Sequence, residues 1–255
     1  MSFTAEVKDE LARVPATCSH CDKAALAALV RIEGTLFFSG QGRYRIEIAT
    51  DAPSVARLVI KLLHELYHLK TNLTVRRSVL HKTPNYLIEV PAQPRLAESL
   101  SDMGVLSVEG GLELGVKPAL VAKECCMAAY LRGAFLGSGF VSDPRGDFHF
   151  EITVESEDLA EGLVELLERK GINARVMQRR SSFMVYLKSG SAILEFLAFA
   201  GAHRSALAME NARVIKSVRN DVNRQTNAEI ANQAKAASAS VDQLFAIRTV
   251  LEAHG

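Results

Sequence analysis

The nine residues Leu26-Ala27-Ala28-Leu29-Val30-Arg31-Ile32-Glu33-Gly34 return in altered form as Leu131-Arg132-Gly133-Ala134-Phe135-Leu136-Gly137-Ser138-Gly139, at an offset of 105 residues. A second match follows each copy. Glu47-Ile48 and SVARLVIKLL (54–63) align without gaps to Glu151-Ile152 and DLAEGLVELL (158–167), at an offset of 104. Two blocks in the same order with nearly the same offset argue for an internal duplication, and hence for a pseudo-two-fold architecture.

Each copy carries the same series of elements. The first opens on a helix from about Asp22 to Glu33, where Ala24, Ala25, Ala27 and Ala28 would let a second helix approach closely. Its counterpart is about Lys123 to Leu136, and the helices holding Glu33 and Ser138 are expected to pack against each other. Two strands follow, Thr35–Ser39 and Arg43–Thr50 joined through Gly40-Gln41-Gly42, matched by Phe140–Val141 and Phe148–Val154. An amphipathic helix comes next, Ser54–Leu69 and Glu157–Lys170, the second stopped by Gly171. Two strands close each copy, Leu73–Leu80 with Tyr86–Val90 and Ala174–Arg180 with Phe183–Lys188. The fold class is therefore α+β: helix, two strands, helix, two strands, occurring twice, with a helical extension from about residue 203.

Composition sets the outer limits. With 255 residues, 48% hydrophobic and 23% charged, the chain belongs among globular proteins rather than disordered or fibrous ones. The N-terminal MSFTAEVKDELARV carries charges where a signal peptide would need an apolar run, and no stretch approaches the length of a membrane span, so a soluble, unexported protein is expected. Four cysteines without an export signal read as reduced thiols. Thirty Lys and Arg against 29 Asp and Glu give a net charge of +1, small for a domain that grips DNA through phosphates; weak nucleic-acid binding is expected of this chain alone.

LAALVRIEG and LRGAFLGSG resemble degenerate LAGLIDADG motifs, and the element order resembles one half of a LAGLIDADG homing endonuclease. In that family the two motif helices line the pseudo-two-fold axis, and an acid at the eighth motif position of each holds divalent metal where DNA is cut. Those positions are Glu33 and Ser138 here. A neutral serine hydroxyl cannot replace a carboxylate against a hard cation, so the resemblance implies a site without catalysis. MSFTAEVKDELA, YLRGAFLGSGFVSDP and KSVRNDVNRQTNAEIANQAKAA together resemble the WhiA family of bacterial regulators of cell division and sporulation, across almost the whole chain.

That resemblance implies a cytoplasmic, nucleoid-associated DNA-binding transcription regulator, acting in cell division, chromosome segregation or sporulation. Its partners would be DNA and a sigma factor or other transcription protein, with no membrane and no cofactor. On it, residues 1–202 read as the duplicated domain, with repeats of about 22–100 and 121–200, and 203–255 as a helical linker towards a helix-turn-helix that this chain does not contain. The extension has its own pattern: Val214, Val218 and Val222 form an apolar stripe, while Arg213, Lys216, Arg219, Asn220, Asn223, Arg224 and Asn227 offer contacts to phosphates or base edges. A solvated face docking its valines on the core fits the spacing equally well. On the strands, Arg43, Arg45, Arg76, Arg175, Arg179 and Arg180 suggest a DNA saddle, opposed by Glu47 and Glu151 on the faces of Arg45 and His149. A partner-binding sheet suits that modest charge as well.

Two motifs compete. His64-Glu65-Leu66-Tyr67-His68 fits H-E-x-x-H on a helix, the arrangement of a zinc metallopeptidase. Thr71 and Thr74 occupy the places where an extended motif would continue, Glu89 is the remaining distant ligand, and the aligned repeat positions are Glu168, Arg169 and Ile172. Cys18-Ser19-His20-Cys21 offers half of a zinc site that Cys125 and Cys126 could complete. An adjacent pair is not a zinc-finger spacing, and small cysteines at a helix start are ordinary core residues; this reading assigns no metal.

Overall fold

The computed structural model describes residues 2–38, 40, 43–77, 84–107 and 111–254. The chain divides into two compact units, one ending at Met209 and the other beginning at Glu210. The first opens on α1 (Phe3–Leu11), with Ser2 accepting from the amide of Ala5 as N-cap. The first repeat then comprises α2 (Cys21–Glu33), β1 (Gly34–Phe38), β2 (Tyr44–Thr50), α3 (Pro53–Tyr67), β3 (Asn72–Arg77), β4 (Pro84–Val90) and α4 (Leu96–Asp102). The second comprises α5 (Glu124–Ser138), β5 (Gly139–Val141), β6 (Phe150–Val154), α6 (Glu157–Glu168), β7 (Ala174–Arg179), β8 (Ser182–Leu187) and α7 (Gly190–Ala200). Both sheets are antiparallel and share one topology, β1-β2-β4-β3 and β5-β6-β8-β7. The duplication and the α+β class read from the sequence are those of the molecule.

The core forms where α2 and α5 meet. Residues 24–30 of α2 and 129–137 of α5 are all buried, so neither helix keeps a solvent face within these stretches. A Cβ placed on Gly133 would lie 2.2 Å from the carbonyl oxygen of Ala25, and one on Gly137 would lie 3.1 Å from Cγ2 of Ile32. The backbones touch because small residues face each other, as the alanine pattern of α2 predicts. Around this centre the strands alternate: Ile46, Ile48 and Thr50 of β2 point inward while Arg45 and Glu47 point out. In the second repeat Phe135, Phe150 and Phe196 form a buried triangle with ring centroids 4.5–5.7 Å apart.

Several boundaries differ from the sequence reading, each for a local reason. Lys123 is extended and caps α5 instead of belonging to it, and α5 runs on to Ser138. His68 (φ 54°) and Gly171 (φ 80°) turn left-handed, so Leu69 and Lys170 fall outside α3 and α6. Phe148 precedes β6, which starts at Phe150, and Arg180 (φ 57°) belongs to the tight turn joining β7 to β8. The expected strand tail at residues 78–80 and the Gln41-Gly42 part of the first hairpin lie outside the described residues. Each repeat also ends on a helix absent from the expected series, α4 and α7.

α8 (His203–His254) starts within the first unit. Its first turn is capped from α1: the Glu10 carboxylate accepts from the amides of Arg204 (2.7 Å) and Ser205 (3.0 Å) and from the Ser205 hydroxyl (2.6 Å). An anion there satisfies orphan amides and meets the positive end of the helix dipole. Glu10→Ala is expected to cost about 1 kcal/mol, as loss of an N-cap does, read as a lower urea midpoint with an unchanged slope. In the second unit Val214, Val218 and Val222 of this helix are exposed. No described helix is long and apolar enough to cross a membrane.

Candidate functional site

The paired motif helices end side by side at Glu33 and Ser138, each passing directly into a strand at Gly34 and Gly139. The Ser138 hydroxyl donates to the carbonyl of Thr153 on β6, which holds it within its own repeat. Lys8, reaching in from α1, donates to the carbonyl of Gly137 at 2.6 Å. Thr4, one turn earlier on α1, donates to Val141 O (2.6 Å) and accepts from Val141 N (3.1 Å). These bonds fasten α1 to the end of α5 and the start of β5, and they bring an ammonium to the motif-helix ends.

Charge at this place is strained. Burial pulls the Lys8 ammonium below its usual range, while Asp51 and then Glu33 hold it up. Burial pushes Glu33 up, offset by Lys8 and reinforced by repulsion from Asp51. The folded chain thus prefers protonated Glu33 relative to the unfolded one. Stability falls as pH rises from the ordinary carboxylate pKa through the raised folded value. Glu33→Gln removes that penalty, so the variant is expected to be more stable than the parent at pH 8 and to lose its advantage at pH 4, measured by urea unfolding at both.

Of the strand arginines, Arg45 is committed within its sheet. Its guanidinium pairs with Glu47 (3.0 Å) and Glu89 (3.5 Å) and lies 4.2 Å above the Phe37 ring. Glu47 and Glu89 face each other in register, so Arg45 neutralises a like-charge pair that would otherwise destabilise the ladder. In the second sheet His149 pairs with Glu151 at 2.8 Å. Arg43 and Arg76 are exposed in the first repeat, while Arg175 and Arg179 are exposed on edge strand β7 beside Arg180 in its turn. On α8, Arg213 is held by Glu210 at 2.8 Å, Lys216 is half-buried, and Arg219, Asn220, Asn223, Arg224 and Asn227 are exposed.

The H-E-x-x-H arrangement does not form. α3 stops at Tyr67, so His68 leaves the helix in a left-handed conformation. His64 bonds to the Thr71 hydroxyl (2.9 Å), and Glu65 sits 3.9 Å from Lys61. Among the described residues, the group able to gather metal ligands is instead Cys18, Cys21, Cys125 and Cys126, whose sulfurs all lie within 4.8 Å of one another. The backbone amide of His20, helped by the Cys21 thiol, brings the Cys18 thiol down to about 5. Burial pushes Cys126 up to about 12.

Two sheets of one topology around paired, small-residue helices define a duplicated domain of the LAGLIDADG homing-endonuclease type. A WhiA N-terminal LAGLIDADG-like domain matches residues 19–106, and a WhiA LAGLIDADG-like domain matches residues 127–219. The chain belongs to the WhiA family. It is 41% identical over 251 residues to the probable cell division protein WhiA of Heliobacterium modesticaldum, covering 98% of this chain and 79% of that one. The Desulforamulus reducens protein of the same name is 40% identical, covering 100% and 80%. The crystal structure of full-length DUF199/WhiA from Thermatoga maritima superposes with a TM-score of 0.70 at 23% identity, covering 93% of this chain and 75% of that one. The homing endonuclease I-DmoI, solved with DNA and Mn, superposes at 0.51 and 15% identity, covering 72% and 98%.

Proposed function

We propose that this chain acts as a DNA-binding transcription regulator of WhiA type in cell division, chromosome segregation or sporulation, using its homing-endonuclease-like unit for contact rather than catalysis. The observation that carries this reading is the state of the motif-helix ends. The Ser138 hydroxyl donates a hydrogen bond to a backbone carbonyl, and the Lys8 ammonium of α1 interacts with Glu33 at the same helix ends, where a nuclease of this fold would need two carboxylates for a divalent cation. Contact with DNA is supported by the likeness in fold to I-DmoI, whose structure holds DNA, and by the exposed Arg175, Arg179 and Arg180 at one sheet edge. Arg219, Asn220, Asn223, Arg224 and Asn227 would add contacts along α8. The near-neutral charge supports weak DNA affinity for this chain and a share of the contact with a protein, for which a sigma factor or another transcription protein is our candidate. A regulator of this kind would act in the cytoplasm, at the nucleoid.

The test is in vivo crosslinking of the protein to DNA, with nuclease assays beside it. Recovery of discrete promoter regions, together with no nicking of those same sequences in magnesium or manganese, is the expected result. Metal-dependent nicking abolished by Glu33→Gln would make the protein a working endonuclease. Ser138→Asp is expected to raise divalent-ion binding at the helix ends without restoring cleavage, because one new acid does not supply strand contacts to DNA.

A further inference from the structure

We propose that Cys18, Cys21, Cys125 and Cys126 form a tetrathiolate site for one zinc ion, clamping together the N-terminal ends of the two motif helices. The site lies opposite the Glu33 and Ser138 end of the same pair. Cys18 precedes α2 and Cys21 is its first residue, while Cys125 and Cys126 occupy the first turn of α5. Each repeat therefore contributes two ligands, and Cys21 and Cys126 are separated by the repeat offset.

Sulfur geometry decides between a metal and two disulfides. The Cys18 sulfur lies 3.4 Å from Cys21, 3.5 Å from Cys126 and 3.6 Å from Cys125. One sulfur equally close to three others is a corner of a tetrahedron; separate pairs would leave each sulfur with one near neighbour and two distant ones. Zinc bonds of about 2.3 Å in tetrahedral array imply sulfur–sulfur edges of about 3.8 Å, and the four sulfurs, all within 4.8 Å of one another, lie close to that spacing. Four soft thiolates select zinc over magnesium, calcium or manganese.

The surroundings suit negative sulfur. Two helix N-termini converge on the cluster and direct their positive ends towards it. The buried guanidinium of Arg132, fixed by donation to Ala200 O at 3.1 Å, adds a favourable electrostatic interaction with Cys21. Binding displaces the remaining thiol protons to solvent and leaves zinc with four sulfur ligands, so the site couples metal binding to the packing of the two repeats.

The test begins with protein purified under reducing conditions without chelator or added metal, analysed for zinc and iron by mass spectrometry. One zinc per chain is expected, released by a thiol-directed mercurial, and its removal should lower the unfolding temperature by several degrees. Cobalt exchanged into the protein should give the intense charge-transfer and d–d bands of a four-thiolate tetrahedral centre. Cys18→Ser and Cys125→Ser, at the two half-exposed ligands, should each weaken zinc binding at least tenfold. If both variants fail to fold, the cobalt spectrum of the unaltered protein decides. Stoichiometric iron, zinc-binding as tight in both variants as in the parent, or fully reduced protein that takes up neither zinc nor cobalt would overturn the proposal.

Discussion

Gly133→Ala is expected to lower stability by about 3 kcal/mol, at the top of the range for overpacking a close-packed core, although it adds a single methyl group to a helix that ordinarily favours alanine. Propensity predicts a gain of up to about 1 kcal/mol from the same change, so the sign of the result tells which effect governs. The new Cβ would fall 2.2 Å from Ala25 O and 2.9 Å from its Cα and carbonyl carbon. All three atoms are backbone of the partner helix, and no side chain can rotate away to make room. The helices must separate, which withdraws buried contacts along both of them. Urea unfolding reads the loss as a drop in midpoint. The control is Gly171→Ala, which meets no atom within 4 Å but sits at φ 80°, so its cost is backbone strain alone. Equal losses at both positions would mean that helix contact is not what limits position 133.

What the sequence revealed follows from how local each cause is. The offset between Leu26 and Leu131 made the duplication visible, and Ala24, Ala25, Ala27 and Ala28 marked the contact because small residues are informative wherever backbones must meet, whereas the part played by Gly133 emerges from the folded pair. α7 escaped because Ser191-Ala192-Ile193-Leu194-Glu195-Phe196-Leu197-Ala198-Phe199-Ala200 is almost continuously apolar, and such a run reads as buried strand or buried helix alike. α4 is seven residues long and starts from Arg95 in a left-handed conformation, without a capping side chain. His68 carries no glycine-like signature, so its left-handed turn, which dismantles H-E-x-x-H, could not be read in advance. At the candidate site, Glu33 and Ser138 were legible from the motif alone. Lys8 was not, since its partner carbonyl is 129 residues away and nothing in its own helix marks it. The pairing of Arg45 with Glu47 follows from strand periodicity, whereas Glu89 joins them through a register that only the folded sheet defines. For the cysteines, spacing argued against a zinc finger, but the two helices start side by side and assemble the four sulfurs from both repeats.

Arg31→Met should cost about 2–3 kcal/mol, the scale of losing hydrogen bonds to a charged group. Arg31 occupies the motif position where the second repeat carries Leu136, so it is a place where the duplication has diverged. Its guanidinium donates to the carbonyls of Gly104 (3.1 Å), Glu113 and Leu114 (2.8 Å), three acceptors in the connection between the repeats. Burial pulls its pKa down from the usual arginine range, yet five rigidly oriented donors and a very high intrinsic basicity keep it charged. The described residues of the connection also bond among themselves, as in Glu113 N to Val105 O at 3.0 Å and Ser107 N to Gly111 O at 2.8 Å. Methionine retains the apolar stem and removes every donor, so the loss reports the bonds rather than a cavity. Arg31→Lys should recover only part of the stability, because a compact ammonium lacks the wide donor fork with which the guanidinium spans three carbonyls. The readout that locates the effect is amide exchange: Glu113 should exchange at least tenfold faster in Arg31→Met, while the β2 amides of Ile46 and Ile48 slow down or speed up only in step with global stability. Uniform acceleration across both would mean that Arg31 supports the core as a whole and does not fasten the connection to α2.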